Sequence, residues 1–386
     1  MPAARLKRFS IVVVALLVAA AAYLLLWPVP VEPVAWHAPV APGYAGVHAG
    51  NTRLANLRTI AIGKEVGPEH IAVGPDGKLY AAVASGDILR MDADGSGQET
   101  FVNTGGRVLG FDFDAQGRLI AADAVKGLLA IGPDRKVIVL ADHVRAGDPI
   151  RYADGVVVAP DGVIYLTDAS TRFAPAQWGG TFEASVLDIL EQSSTGRVLA
   201  HDPRTGSTRV VARGLSFANG IALSTDARSL FVNETGKYRV WKIAVAASDL
   251  DVAQPSPQAQ VLLDNLPGYP DNLMRGRDGR IWLGFAKPRN PVIDNMAEKP
   301  FLRKVTLRLP RALWPVPKAY GHVIAFTEDG RVVVDLQDPS GAYPETTAIT
   351  ETRDRLYVQS LHAKVLGWLP PGPLALPGRL DAPLAR

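Results

Sequence analysis

Short β-prone runs separated by Asp-Gly turns recur along most of this chain, and that recurrence restricts the fold more than any other feature. GPDGKLYAAVASGDILRMDADG, DAQGRLIAADAVKGLLAIGPD and PDGVIYLTDAS are early examples, and STDARSLFVNETGKYRVWKIAV and TEDGRVVVDL later ones. Asp-Gly between apolar runs is a strong hairpin signal. The unit is a turn, a strand, a few polar residues, a second strand and a longer link. It returns about six times, at irregular spacings of roughly 40–75 residues. A sheet of this kind cannot bury both faces alone, so the units are expected to stack around an axis. The reading is an all-β chain, a six-bladed β-propeller, with a two-domain β-sandwich as the alternative.

One segment has a different character. Phe9 to Trp27 (FSIVVVALLVAAAAYLLLW) is apolar apart from Ser10, and Arg5, Lys7 and Arg8 precede it. A helix of that length spans roughly 28 Å, close to a bilayer core of about 30 Å. The basic flank puts the N-terminus in the cytoplasm and the rest outside. Apolar residues continue past Ala19–Ala22, which favours an uncleaved transmembrane helix over a signal peptide. The expected organisation is a basic stub at 1–8, an anchor at 9–27, a Pro-rich spacer at 28–46 that lifts the domain off the membrane, and the propeller at 47–386. The protein is then single-pass, with its large domain extracytoplasmic, periplasmic in a bacterium.

The 386 residues contain no cysteine and carry a formal net charge of +3. That removes disulfides, thiol chemistry and zinc–thiolate sites. The basic balance hints at a nearby anionic surface. It does not indicate nucleic acid, because no basic stripe with interleaved aromatics occurs. Triad, SxxK and phosphate-loop patterns are not evident.

Four motifs precede new strand–turn–strand units: GPEH (67–70), YADG (152–155), FANG (217–220) and YPDN (269–272). In a propeller they would enter the innermost strands and converge on the axis. Glu69, Asp154, Asn219, Asp271 and Asn272 then supply carboxylate and amide oxygens, a donor set suited to calcium. Each motif alone reads by default as a turn. His70 follows Glu69 and should point the opposite way, between blades. None of the seven histidines forms a metal pair at helical spacing.

With these motifs the chain resembles the strictosidine synthase-like family, especially its adipocyte plasma membrane-associated branch, and more distantly gluconolactonase/regucalcin and paraoxonase. VGPEHIAV, RVLGFDFDAQGRLIAADAVKGLL, GVIYLTDAS, LSFANGIALS and LPGYPDNL carry the resemblance, from about Asn51 to Leu366. It implies a six-bladed propeller with a central calcium site. Glu69, Asn219 and Asp271 match metal ligands, Asp271 also the general base, and Asn272 an additional paraoxonase-type ligand. Ala153 stands where the family commonly has Asn, so one oxygen is missing, and water or Asp154 would fill the place. The paraoxonase histidine pair has no counterpart. The glutamate of the strictosidine condensation falls near Thr347, with Glu345 and Glu351 close but out of register.

The leading expectation is a calcium-dependent hydrolase of lactones or aryl esters, with Asp271 or Glu69 activating water. Insertions at 172–196, with a helix around Glu183–Gln192, and at 287–318 would cover the pocket. Trp178, Phe182 and Trp314 would line it. The second insertion mixes basic and bulky apolar residues and could instead rest on lipid headgroups. The alternatives are a non-catalytic metal-stabilised propeller that binds a ligand or partner, and a condensing synthase. The latter requires Glu345 or Glu351 in the pocket.

Overall fold

The computed structural model of the chain describes residues 2–372; the end of the expected propeller segment, 373–386, lies outside them. Among the described residues, six sheets are arranged as consecutive blades. Their innermost strands are His70–Val73, Val108–Phe113, Ala153–Val158, Ala218–Leu223, Gly268–Arg275 and Thr346–Glu351. These open blades 1 to 6 in order. Each blade meanders outward through antiparallel strands. The ring closes because Arg58–Ala61 pairs antiparallel with Val365–Leu369 as the outermost strand of blade 6. Apolar side chains on both faces of each blade pack against the neighbouring blades, for example Leu199 and Ile164 of blade 3 with Ile120 and Leu128 of blade 2.

The meander fixes which loops share an end. The chain enters each inner strand at one end of the ring, and the Asp-Gly turns after it lie at the other. The links between second and third strands return to the entry end. Both insertions use that link, in blade 3 between Asp168 and Gly196 and in blade 5 between Pro288 and Gly321. The first contains the helices Pro175–Trp178 and Thr181–Glu191. The second contains Pro291–Asn295 and Pro300–Arg308. Both therefore overhang the motif residues.

The motifs themselves are not turns. In four blades the inner strand carries a bulge at the same place, with two residues opposite one. Asp154–Gly155, Asn219–Gly220, Asp271–Asn272 and Thr347–Ala348 are the doubled pairs. Neither Gly155 nor Gly220 has a positive φ. They are glycines for another reason. A Cβ on Gly220 would stand 2.3 Å from the backbone nitrogen of Leu273 in blade 5. One on Gly155 would stand 3.0 Å from the Asn219 carbonyl of blade 4. Adjacent inner strands meet there backbone to backbone.

The carbonyls exposed by the bulges are satisfied from the preceding blade. Thr167 Oγ1 donates to the Asn219 carbonyl at 2.7 Å, and Asn233 Nδ2 to the Asp271 carbonyl at 2.5 Å. Each donor stands opposite a bulge of its own blade. An unmet buried acceptor costs about 1–3 kcal/mol, so these residues hold the bulges open.

A helix runs from Pro2 to Leu26, and its segment Lys7–Leu26 is long and apolar enough to cross a membrane. The Pro-rich segment after it differs from expectation. It lies along the propeller and does not project as a spacer. Val31 is completely buried, Val34 N–H donates to the Glu191 carbonyl at 2.8 Å, and Trp36 N–H to the Ala297 carbonyl at 3.2 Å. Proline removed donors, but the remaining polar groups and valines found partners on both insertions.

Gly220→Ala is expected to lower unfolding stability by about 1–3 kcal/mol or more, because the new methyl meets backbone that cannot turn aside. Gly279→Ala, with no atom within 4 Å of the added carbon but a φ of +76°, isolates the backbone component. Urea denaturation of both variants compares them.

Candidate functional site

The bulges turn Asp154, Asn219 and Asp271 into the axis at the entry end, where Glu69 joins them from the residue before blade 1. All four are buried. They border a cavity of about 330 Å³ together with Arg107, Tyr152, Phe217 and His362. A second, largely apolar cavity of about 190 Å³ shares Asn219, Asp271 and Phe217 with it. Its roof comes from the insertions: Phe182, Val186 and Ile189 from the first, Ile293, Trp314 and Val316 from the second. The space thus has a polar arm and an apolar arm that meet over Asn219 and Asp271.

The electrostatics are dominated by like charge. Burial, and then repulsion from Glu69, pushes the Asp154 carboxyl well above the usual range. Asp271 rises well above it too, through burial and then through Glu69, Asp154 and Glu345. Burial raises Glu69 as well, although the guanidinium of Arg107, to which it is ion-paired, pulls the other way. The same carboxylates, after burial, raise the Tyr152 phenol. Asn219 Oδ1 is buried with no hydrogen-bond donor. Three carboxylates and an orphaned amide oxygen facing one space make a hard oxygen set that fits a divalent cation such as calcium. Glu69, Asp154, Asn219 and Asp271 are the residues that would hold it.

Asn272 stands apart from this group. Its amide donates to the Glu69 carbonyl at 3.0 Å, and it borders a cavity at the opposite end of the axis. As the second residue of its bulge it faces the other way. Thr347, at the bulge position of blade 6, donates to the same Glu69 carbonyl at 2.8 Å. Blade 6 therefore brings no carboxylate through its bulge. Ala153 is buried and pairs with Asp168 across the blade, which leaves Asp154 as the oxygen donor of that motif. His70 packs on Phe111 of blade 2, ring centroids 4.7 Å apart, and burial lowers its pKa to about 4. Of the expected pocket aromatics, Phe182 and Trp314 line the apolar arm, whereas Trp178 packs on Phe173 at 5.7 Å.

Other residues join the motif residues around the cavity. Arg107 supplies the cation beside Glu69, and Tyr152 donates to the Thr181 carbonyl of the first insertion at 2.8 Å. Glu345 lines the apolar arm and is ion-paired to Lys287 and His362. Burial alone would raise it, but those two partners hold it below the usual range. Glu351 lies at the far end of the axis with the Trp282 indole. Arg107 and Tyr152 stand in the quoted motifs, so their signal was present. Lys287, Glu345 and His362 meet because strand ends of blades 5 and 6 lie side by side at the entry end.

A separate buried cluster lies outside this cavity. Asp335 Oδ2 is 2.9 Å from His48 Nδ1 and 3.0 Å from His322 Nε2, while Gln337 and Asn51 donate to its other oxygen. These ligand-capable atoms lie within 4.8 Å of one another. The hydrogen bonds already satisfy the carboxylate and tie the segment before blade 1 to the outer edge of blade 5.

Fold and site together define a six-bladed propeller with an axial cluster of buried carboxylates beneath a two-part cavity. Residues 46–91 match the family described as Strictosidine synthase-like, N-terminal, and residues 154–248 match Strictosidine synthase. Protein STRICTOSIDINE SYNTHASE-LIKE 6 of Arabidopsis thaliana is 33% identical over 303 residues, covering 77% of this chain and 75% of that protein. Adipocyte plasma membrane-associated protein of Bos taurus is 28% identical over 367 residues, 88% of this chain and 84% of that one. The chain belongs to the strictosidine synthase-like family. Among solved structures, a gluconolactonase from Xanthomonas campestris superposes with a TM-score of 0.57 at 18% identity, over 89% of this chain and 98% of that one. Regucalcin from Agrobacterium tumefaciens, described as a calcium-binding protein, gives 0.54 at 12%, over 84% and 96%. At such identities these two likenesses establish the fold.

The raised carboxyls fix a sign for pH. A group protonated more readily when folded stabilises below its unfolded pKa, about 4, and loses that contribution as pH rises through its folded value. In chelator, the melting temperature is therefore expected to fall as pH rises above about 4. Added calcium should reverse the fall, with a larger gain at higher pH because the ion competes with protons. Thermal melts across pH, with and without calcium, check this.

Proposed function

We propose that the protein is a calcium-dependent hydrolase of lactones or aryl esters, held at a membrane by its N-terminal helix with the propeller on the extracytoplasmic side. The observation that carries the reading is the meeting of the two cavity arms over Asn219 and Asp271, with Glu69 and Asp154 beside them. A substrate with an apolar body and a polar carbonyl fits that division. The gluconolactonase among the fold relatives makes a lactone a reasonable first substrate class.

Calcium held by Glu69, Asp154, Asn219 and Asp271 would supply a Lewis acid for the substrate carbonyl oxygen. The chain's own residues do the rest. The apolar arm takes the acyl or aryl body and excludes water around it. Asp271 accepts the proton of the attacking water as the water oxygen bonds to the carbonyl carbon. It returns that proton to the leaving oxygen when the ester C–O bond breaks. Glu69 is the alternative base, but its pairing with Arg107 commits it more to holding charge in place. General-base help of this kind is worth about 10²–10⁴-fold.

A condensing reaction is the second reading, favoured by Glu345 in the cavity wall. Against it, Lys287 and His362 engage that carboxylate, and the bulge position of blade 6 carries Thr347. A non-catalytic propeller that uses calcium for stability is the third.

Asp271→Asn separates enzyme from scaffold. Hydrolysis of a lactone and phenyl ester panel should fall about 10²–10⁴-fold, with the melting temperature in calcium kept close to that of the unaltered protein. Absence of hydrolysis by the unaltered, folded, calcium-loaded protein across the panel would sink the enzyme reading.

The anchor has its own support. Arg308, buried in the second insertion, donates to the carbonyls of Leu24 at 2.9 Å and Trp27 at 2.6 Å. Those carbonyls have no partner within the helix, and the helix C-terminus favours a cation. Cleavage after the helix would leave Arg308 without these acceptors. The full-length N-terminus should therefore be found by mass spectrometry in carbonate-washed membranes. A mature protein starting after residue 27 would overturn anchoring.

A further inference from the structure

The contact between Arg308 and the helix end has a second meaning. Tyr23 and Trp27 pack at a tilt at the exit of the span, with ring centroids 5.6 Å apart. Such aromatics settle at the headgroup level of a bilayer. The helix Pro300–Arg308 is bonded at that same level. The last turn of this helix is therefore held at the headgroup level.

It presents apolar side chains to the outside. Phe301 is 51% exposed, Leu302 41%, and further along the insertion Leu313 is 65% and Val316 55%. Phe182, from the other insertion, is 44% exposed. Outside the span and the segment following it, much of the exposed bulky apolar surface of the described residues is gathered on these two insertions. Lys299, Arg311 and Lys318 are exposed among them. Within residues 287–318 eight lysines and arginines face two acidic residues. Apolar side chains flanked by cations are what an anionic headgroup layer accepts.

The same insertion roofs the apolar arm. Val316 and Trp314 line it, and Val316 is also exposed on the outer surface. The helix also braces the roof from within. Arg303, 2% exposed, donates to the carbonyls of Leu190 at 2.9 Å and Ala297 at 2.9 Å and also to that of Val34.

We propose that the two insertions seat in the headgroup layer of the bilayer that the N-terminal helix spans, so that the apolar arm opens toward lipid and admits a lipophilic acyl ester or lactone from the membrane. The seating stands on the anchor geometry and the exposed apolar and basic side chains, whereas the substrate class rests on the hydrolase reading above.

The chain lacks cysteine, so a single introduced thiol can be labelled without background. Leu313→Cys and Phe301→Cys report on the insertions. Val73→Cys, 44% exposed and at the opposite end of the axis, is the control. Each full-length variant is labelled with an environment-sensitive dye. It is then reconstituted into phosphatidylcholine–phosphatidylglycerol vesicles containing a headgroup-proximal spin-labelled lipid. Quenching at 301 and 313 several-fold above that at 73 is expected. Equal quenching at all three overturns the seating.

For the substrate, the double variant Phe301→Glu, Leu313→Glu is compared with the unaltered protein on long-chain and short-chain phenyl esters in the same vesicles. A loss of tenfold or more in kcat/KM for the long chain alone supports entry from lipid. An equal loss for both chain lengths, or no loss for either, overturns it. Strong quenching at 301 and 313 with no hydrolysis of either ester by the unaltered protein upholds the seating while the hydrolase reading falls, and the substrate class with it.

Discussion

Six inner strands must pass one axis closer together than side chains usually permit. The contact between Gly220 and the backbone of Leu273, and the one between Gly155 and Asn219, show the solution: backbone against backbone, with the crowded position stripped of its Cβ. Such packing would leave carbonyls stranded in a dry interior. The bulges redirect them, and Thr167 and Asn233 reach across from the preceding blades to meet them. The redirection has a by-product. The first residue of each bulge is turned into the axis, and in three blades that residue is Asp154, Asn219 or Asp271. The site is thus a consequence of how the ring is packed at its centre.

This explains what could be read from the sequence. Repetition of strand and turn announced blades because each blade is built from short β-prone strands joined by similar turn chemistry. The motif residues were legible because the bulge recurs at one position in the repeat. Two things were not. The glycines of YADG and FANG read as turn residues, since a one-dimensional pattern does not distinguish a glycine needed for positive φ from one needed for close approach. Asn272 read as a ligand because it adjoins Asp271, but the second residue of a bulge faces the other end of the axis.

The remaining pieces depend on how neighbouring blades and insertions meet. Lys287, Glu345 and His362 come from different strands and links and carry no local signature, yet they form one chain of charges in the cavity wall. The Pro-rich segment misled for a related reason. Its composition favours an extended chain, and an extended chain is what it forms, but composition does not say whether that chain is solvated. Here Val31 and the backbones of Val34 and Trp36 bind it to both insertions.

That strap bears on how a soluble form should be cut. A fragment beginning near residue 46 matches the start of the propeller but discards Glu32, Val34 and Pro39, which hold Lys304, Arg303 and Arg289 of the second insertion. The ring would still close through Arg58–Ala61, and such a fragment could pass every test of folding. Its cavity roof would nevertheless have lost its cross-tie, so a change in what the cavity binds would reflect the cut and not the full chain. A boundary just after Trp27 keeps the strap, at the loss of the apolar helix and of the Leu24 and Trp27 carbonyls that Arg308 engages.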